Sequence, residues 1–173
     1  MSERKTPEKK GLLYTLCNGA CILLTTLVIL ICLPFTLPRI FGIQPYAIVS
    51  GSMEPEIPVG SIVYVGKVQP EELISGEIIT FYTGTGSEGA VTHRVVENRN
   101  GEKELVTKGD ANMAPDPMPV SYERVVGRVK LHIPGLGRLF PLISGTAGKI
   151  RLLAVLLAAI LIRTVGVRIE RQR

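Results

Sequence analysis

Ser52, His93, Asp110 and Asp116 are residues of this chain whose types could together carry out nucleophilic chemistry. A serine hydroxyl becomes a nucleophile when a base takes its proton and donors wait for the oxyanion that forms. Ser52 lies in Ser50-Gly51-Ser52-Met53-Glu54-Pro55, directly after the apolar Ala47-Ile48-Val49. The chain has two histidines. His132 sits beside turn residues in KLHIPGLG, whereas His93 sits inside AVTHRVVE. Strand alternation places Val91, His93 and Val95 on one face and Thr92, Arg94 and Val96 on the other. Asp110 follows Gly109, and Asp116 lies between two prolines; they are the only aspartates in the sequence. Either could orient an imidazole, as the carboxylate of a triad does. Each residue also has a structural reading, and on residue type alone that reading is the more common one. Ser52 would be a turn serine, His93 a satisfied core histidine, and the aspartates turn formers.

The elements that must position these groups fall into three zones. Residues 1–10 carry a charge of +2 and residues 163–173 a charge of +3, while 11–162 holds 12 basic and 12 acidic residues and is neutral. A nucleic-acid binder would place its basic excess on the folded domain, so that class is excluded. The excess instead flanks two apolar runs, as cytoplasmic flanks of membrane helices do. Gly11 to Pro38 contains no charged residue, and Leu12–Leu33 is long enough to span a bilayer. It is longer than the core of a cleaved leader, and no small-x-small site follows it, so an uncleaved anchor over 11–34 is expected. Positive residues before it put the N-terminus in the cytoplasm and the following chain outside. A second apolar run, Leu152–Ile162, is only 11 residues long before Arg163. Snorkelling arginines could make it a membrane helix over 147–167, with a basic cytoplasmic tail at 168–173; an amphipathic segment lying on the surface is the alternative.

Residues 39–140 read as a mainly β domain. SIVYV (61–65), EIITFY (77–82), AVTHRVVE (90–97), KELVT (103–107) and RVVGRVKL (124–131) are β-branched or aromatic runs between turn residues. Asn100-Gly101 predicts a hairpin between the third and fourth of them. TGTGSEG (83–89) reads as a turn or mobile tip, and the three prolines in 113–119 demand an irregular loop. Frequent short strands suggest folded sheets or a partial barrel. Cys17, Cys21 and Cys32 all lie in the first apolar run, so no disulfide staples the domain. They read as small apolar filler, and neither a metal nor another cofactor is expected.

Together the boxes resemble the type I signal peptidases, in the branch found in the endoplasmic reticulum, in archaea and in some Gram-positive bacteria. The carrying residues are Ser50–Pro55, His93-Arg94-Val95-Val96, Lys108-Gly109-Asp110-Ala111-Asn112 and Val125–Arg128, together with the anchor. His93 stands where the ordinary bacterial branch has lysine. The resemblance implies Ser52 as nucleophile, His93 as general base, Asp116 as the orienting carboxylate and Asp110 as a second required acidic residue. It further implies Ser50 and the Ser52 N–H as oxyanion donors and Met53 in the substrate pocket. The expected partners are secretory preproteins and the lipid bilayer, and the sequence is silent on partner subunits. Gly60-Ser61 departs from the Gly-Asp usual in the family, and Ala111 replaces a common asparagine. A non-catalytic anchored β domain acting in assembly is the competing reading.

Overall fold

A computed structural model describes residues 11–84 and 89–172. The basic tail at 1–10, the centre of the TGTGSEG tip and Arg173 lie outside the described residues. The chain divides into two units, 1–33 with 142–173, and 34–141.

The first unit pairs the long helix α1 (Leu12–Ile40) with the helix that closes the chain, α3 (Gly145–Arg171), which follows the one-turn α2 (Phe140–Ile143). Both long helices are long and apolar enough to cross a membrane, with mean hydropathies of 2.6 and 2.2 over their most apolar stretches. The second apolar run is therefore more than 11 residues of helix: α3 continues through Arg163 to Arg171. Small residues let the two helices approach. A β-carbon on Gly166 would lie 2.7 Å from that of Cys17, so a larger side chain there would force the helices apart. Glu170 accepts a hydrogen bond from the Gly11 N–H at 2.7 Å.

The second unit begins with the last turns of α1, which contain Pro34 and Pro38. Pro38 has no N–H to donate to the Pro34 carbonyl, one turn earlier. The Tyr64 hydroxyl supplies that donor at 3.1 Å. Phe35 is buried there, its ring centroid 5.9 Å from that of Phe140.

Among the described residues, seven strands make one antiparallel sheet: β1 (Ile43–Ala47), β2 (Ile62–Gly66), β3 (Ile78–Tyr82), β4 (Ala90–Arg99), β5 (Glu104–Lys108), β6 (Val120–Ser121) and β7 (Val125–Ile133). Their spatial order is β1-β2-β7-β3-β4-β5-β6. Register shifts interrupt the β2–β7, β3–β7 and β4–β5 ladders. Bulges of this kind bend a sheet and increase its twist, which gives the half-barrel form. One core cluster gathers Leu73, Ile79, Phe81, Val95, Leu105, Val120 and Tyr122. A second gathers Met53, Ile57, Val63 and Val65.

Two details depart from the sequence reading. The β4–β5 hairpin forms, but its loop holds four residues and Lys103, not Gly101, takes the left-handed conformation (φ 55°). The Glu102 N–H donates to the Arg99 carbonyl at 3.0 Å, a turn that needs no glycine at 101. Along β4, Thr92 is buried as well as His93. Its hydroxyl meets that of the fully buried Thr80 across the ladder at 2.9 Å. The bent sheet covers both faces here, so alternation does not separate a wet side from a dry one.

Glu77 and Arg128 tie β7 to the approach to β3 through an ion pair. Burial would raise the Glu77 carboxyl, but the Arg128 hydrogen bond, the Ile74 N–H and the charges of Arg128 and Lys130 outweigh it and hold the group below the usual carboxylate range.

Candidate active site

Ser52 sits in a turn that the chain fixes at both ends. Beyond β1 the Ile48 N–H donates to the Ser61 carbonyl, and the Gly60 N–H to the Ile48 carbonyl, each at 2.9 Å. Within the turn, the Glu54 N–H donates to the Gly51 carbonyl and the Ile57 N–H to the Met53 carbonyl. Met53 and Ile57 are buried in the second core cluster and pin the segment from below. Ser52 is left half-buried and Ser50 exposed, their hydroxyl oxygens 3.4 Å apart. Met53 thus belongs to the core and also to the wall of a cavity of about 80 Å³ that Ser50, Ser52, Ile48 and Thr92 line.

His93 is 8% exposed and lies in the middle of β4. Its Nδ1 is 2.6 Å from Asp116 Oδ2. An ionised carboxylate only accepts, so Nδ1 is the donor in this contact, and in the neutral imidazole that tautomer leaves the lone pair on Nε2. The same Oδ2 accepts the Thr107 hydroxyl at 2.6 Å, while the Asp116 N–H donates to the Thr107 carbonyl at 2.8 Å. Thr107 is fully buried opposite Val95, on the face that carries His93. It holds the carboxylate from one side and the imidazole holds it from the other. The Phe81 ring meets the imidazole in an edge contact, with centroids 6.1 Å apart, and restricts its rotation.

Asp110 does not reach this pair. Arg94 projects to the other side of β4 and clamps Asp110 with two hydrogen bonds, Nε to Oδ1 at 2.8 Å and Nη2 to Oδ2 at 2.6 Å. A third bond runs from Nη1 to the Gly76 carbonyl at 2.8 Å. The Asp110 hydrogen bond lifts the arginine above its ordinary value; burial opposes it, and the charges of Asp110 and Glu56 add to it. Asp110 therefore shapes the loop that leaves β5. That loop is stitched to the serine turn, since the Ala111 N–H donates to the Ser52 carbonyl at 2.9 Å.

The serine and histidine segments meet at Gly109. A β-carbon there would lie 2.6 Å from the Ser52 carbonyl oxygen, 2.8 Å from Asn112 Nδ2 and 3.0 Å from His93 Nε2. Gly109 thus has His93 Nε2 on one hand and the Ser52 carbonyl on the other, with no room for a methyl group of its own. Gly109→Ala is expected to lower kcat about 100-fold with the fold retained, because a displacement on the scale of 1 Å costs that much in a positioned site. Steady-state kinetics together with a melting curve check this. Neither Thr107 nor the packing role of Gly109 is legible in the sequence. A strand threonine nine residues before an aspartate carries no signal of contact, and the glycine reads simply as a turn residue.

At its free edge the site has one more feature. Among the described residues, Ala90–His93 pair with β3 only, and β5 joins the ladder from Arg94 onward. The unpaired edge beside the serine turn can accept an extended peptide as an added strand.

Residues 21–99, which include Ser52 and His93, match the family described as signal peptidase, peptidase S26. Signal peptidase I W of Bacillus subtilis is 39% identical over 118 residues, covering 66% of this chain and 61% of that protein. The match thus spans less than two thirds of that relative's length. The signal peptidase complex catalytic subunit SEC11C of Homo sapiens is 29% identical over 173 residues, 92% of this chain and 87% of the relative. Subunit SEC11 of Eremothecium gossypii is 34% identical over 108 residues, 56% of this chain and 64% of the relative. In its half-barrel domain, its two apolar helices and these matches, the chain is similar to the type I signal peptidases of family S26.

Proposed function

We propose that the protein is a membrane-bound serine endopeptidase that removes N-terminal signal peptides from secretory precursors. The observation that carries the proposal is the 2.6 Å contact from His93 Nδ1 to Asp116, with Gly109 the common neighbour of His93 Nε2 and the Ser52 carbonyl. Ser52 Oγ attacks the scissile carbonyl as His93 Nε2 takes its proton. The oxyanion is held by the Ser52 N–H and the Ser50 hydroxyl. The tetrahedral carbon expels the amine, which receives the proton from His93, and an ester to Ser52 remains. Water, deprotonated by the same imidazole, releases the signal peptide. Asp116 keeps the imidazole oriented and stabilises its cationic form. Asp110 supports the loop through Arg94.

Two long apolar helices support a multi-pass membrane protein. Basic residues at both termini favour cytoplasmic ends, with the β domain on the outer side. Pro38, at the end of the apolar run, precedes Ser52 by 14 residues, which favours a nucleophile held near the membrane surface where precursors emerge. That tether raises the effective concentration of the site without new contacts.

The cavity of about 80 Å³ beside Ser52 has room for a small side chain only. In proteoliposomes, a precursor with Ala at the residue before the cut is expected to be processed about 100-fold faster than one with Leu there, because the cavity cannot take the larger group. Equal processing of the two would contradict the assignment of that cavity and of the reaction.

A further inference from the structure

We propose that a second cavity, of about 290 Å³ on the His93 side of β4, receives the side chain of the first residue of the released chain and selects a bulky apolar or aromatic one. The inference rests on the peptidase reading above.

Two cavities flank β4. Ser52 and Thr92 line the small one, His93 and Asp116 line the large one, and Val91 lines both. Successive strand residues face opposite sides, so Thr92 and His93 assign the two cavities to opposite faces of β4. An extended peptide added at the free edge of Ala90–His93 alternates in the same way. If the residue before the cut fills the small cavity, the side chain after the cut turns to the other face. The backbone nitrogen of that next residue is the leaving amine, and it collects its proton from His93 Nε2. Its side chain therefore falls beside His93, where the large cavity opens.

The lining sets the chemistry. Phe81, Val91, Met118 and Val120 present apolar surface, and exposed Arg124 stands at the rim. Asp116 Oδ2 already accepts from His93 and Thr107, so it offers little to an incoming polar group. Met118 is 73% exposed in the free protein, and a thioether adapts its shape to what it covers. A large apolar side chain gains contact here, and an alanine leaves the cavity unfilled.

The test competes two precursors in one reaction with the full chain in proteoliposomes. They share alanines one and three residues before the cut and differ only after it, Ala against Phe. The Phe precursor is expected to show a kcat/KM about tenfold higher. Met118→Glu is expected to bring that ratio close to one without changing the melting temperature. Equal kcat/KM for the two precursors with the unaltered protein would overturn the subsite. So would a preference that Met118→Glu leaves untouched. Failure to cleave either precursor would overturn the peptidase reading itself, and the subsite with it.

Discussion

Ser52→Ala and His93→Ala are each expected to lower kcat/KM by on the order of 10,000-fold or more, and the double variant to lose no more than either single one. Groups that act as one unit are grossly non-additive, because removing either abolishes the step that both perform. Without Ser52 there is no oxygen to acylate, and His93 has no proton to take. Without His93, Ser52 stays a protonated hydroxyl with its ordinary low nucleophilicity. Melting temperatures should change little for Ser52→Ala, whose side chain is half-buried with its hydroxyl 3.4 Å from that of Ser50. Additive losses in the double variant would mean that the two residues act independently, contrary to the proposed relay.

Asp116→Asn is expected to cost roughly 1,000- to 10,000-fold in kcat, with KM nearly unchanged. The amide keeps the shape of the carboxylate but removes its charge, so nothing compensates the imidazolium that forms during attack. Its NH₂ group can also donate to His93 Nδ1, which would shift the ring proton to Nε2 and remove the base. Thr107 adds weight to this effect, because its hydroxyl donates to the same Oδ2 at 2.6 Å and competes for the single amide oxygen. Asp110→Asn provides the contrast. It weakens the clamp on Arg94 but leaves the His93–Asp116 contact in place, so its loss should be far smaller. The reverse ranking would assign the orienting role to Asp110.

Much of this site is legible in the sequence as a set of residues, and little of it as geometry. Ser52 and His93 stand out because a serine box and a strand histidine recur at matching positions in a known family. The division of labour between the aspartates does not follow from spacing. Asp110 and Asp116 both lie on the segment after β5, and which one turns back to His93 depends on the path of a proline-rich loop. The structure joins Asp116 to His93 through a strand-like bond to Thr107, and gives Asp110 to Arg94 because Arg94 faces the opposite side of β4. The family resemblance implies Met53 as a pocket residue, whereas its 1% exposure makes it first a core residue that fixes the serine turn.

The fold shows the same pattern. The five long β runs become strands, shifted by a residue or two. β6 has only two residues and β1 contains Pro45, which suits its place at the sheet edge but weakens any strand pattern. The closing helix looks too short when counted as an apolar run. It is longer because helix formation does not stop at Arg163, and because Gly166 packs against Cys17 on the partner helix.

The central claim is that Ser52, activated by His93, cuts precursors at the signal-peptide junction. Its most direct test reconstitutes the unaltered chain and Ser52→Ala separately in liposomes with a model precursor, and reads the product N-terminus by mass spectrometry. One new N-terminus, immediately after a small-x-small site, is expected from the unaltered chain and none from Ser52→Ala. The same product from Ser52→Ala, or a cut away from such a site, would contradict it.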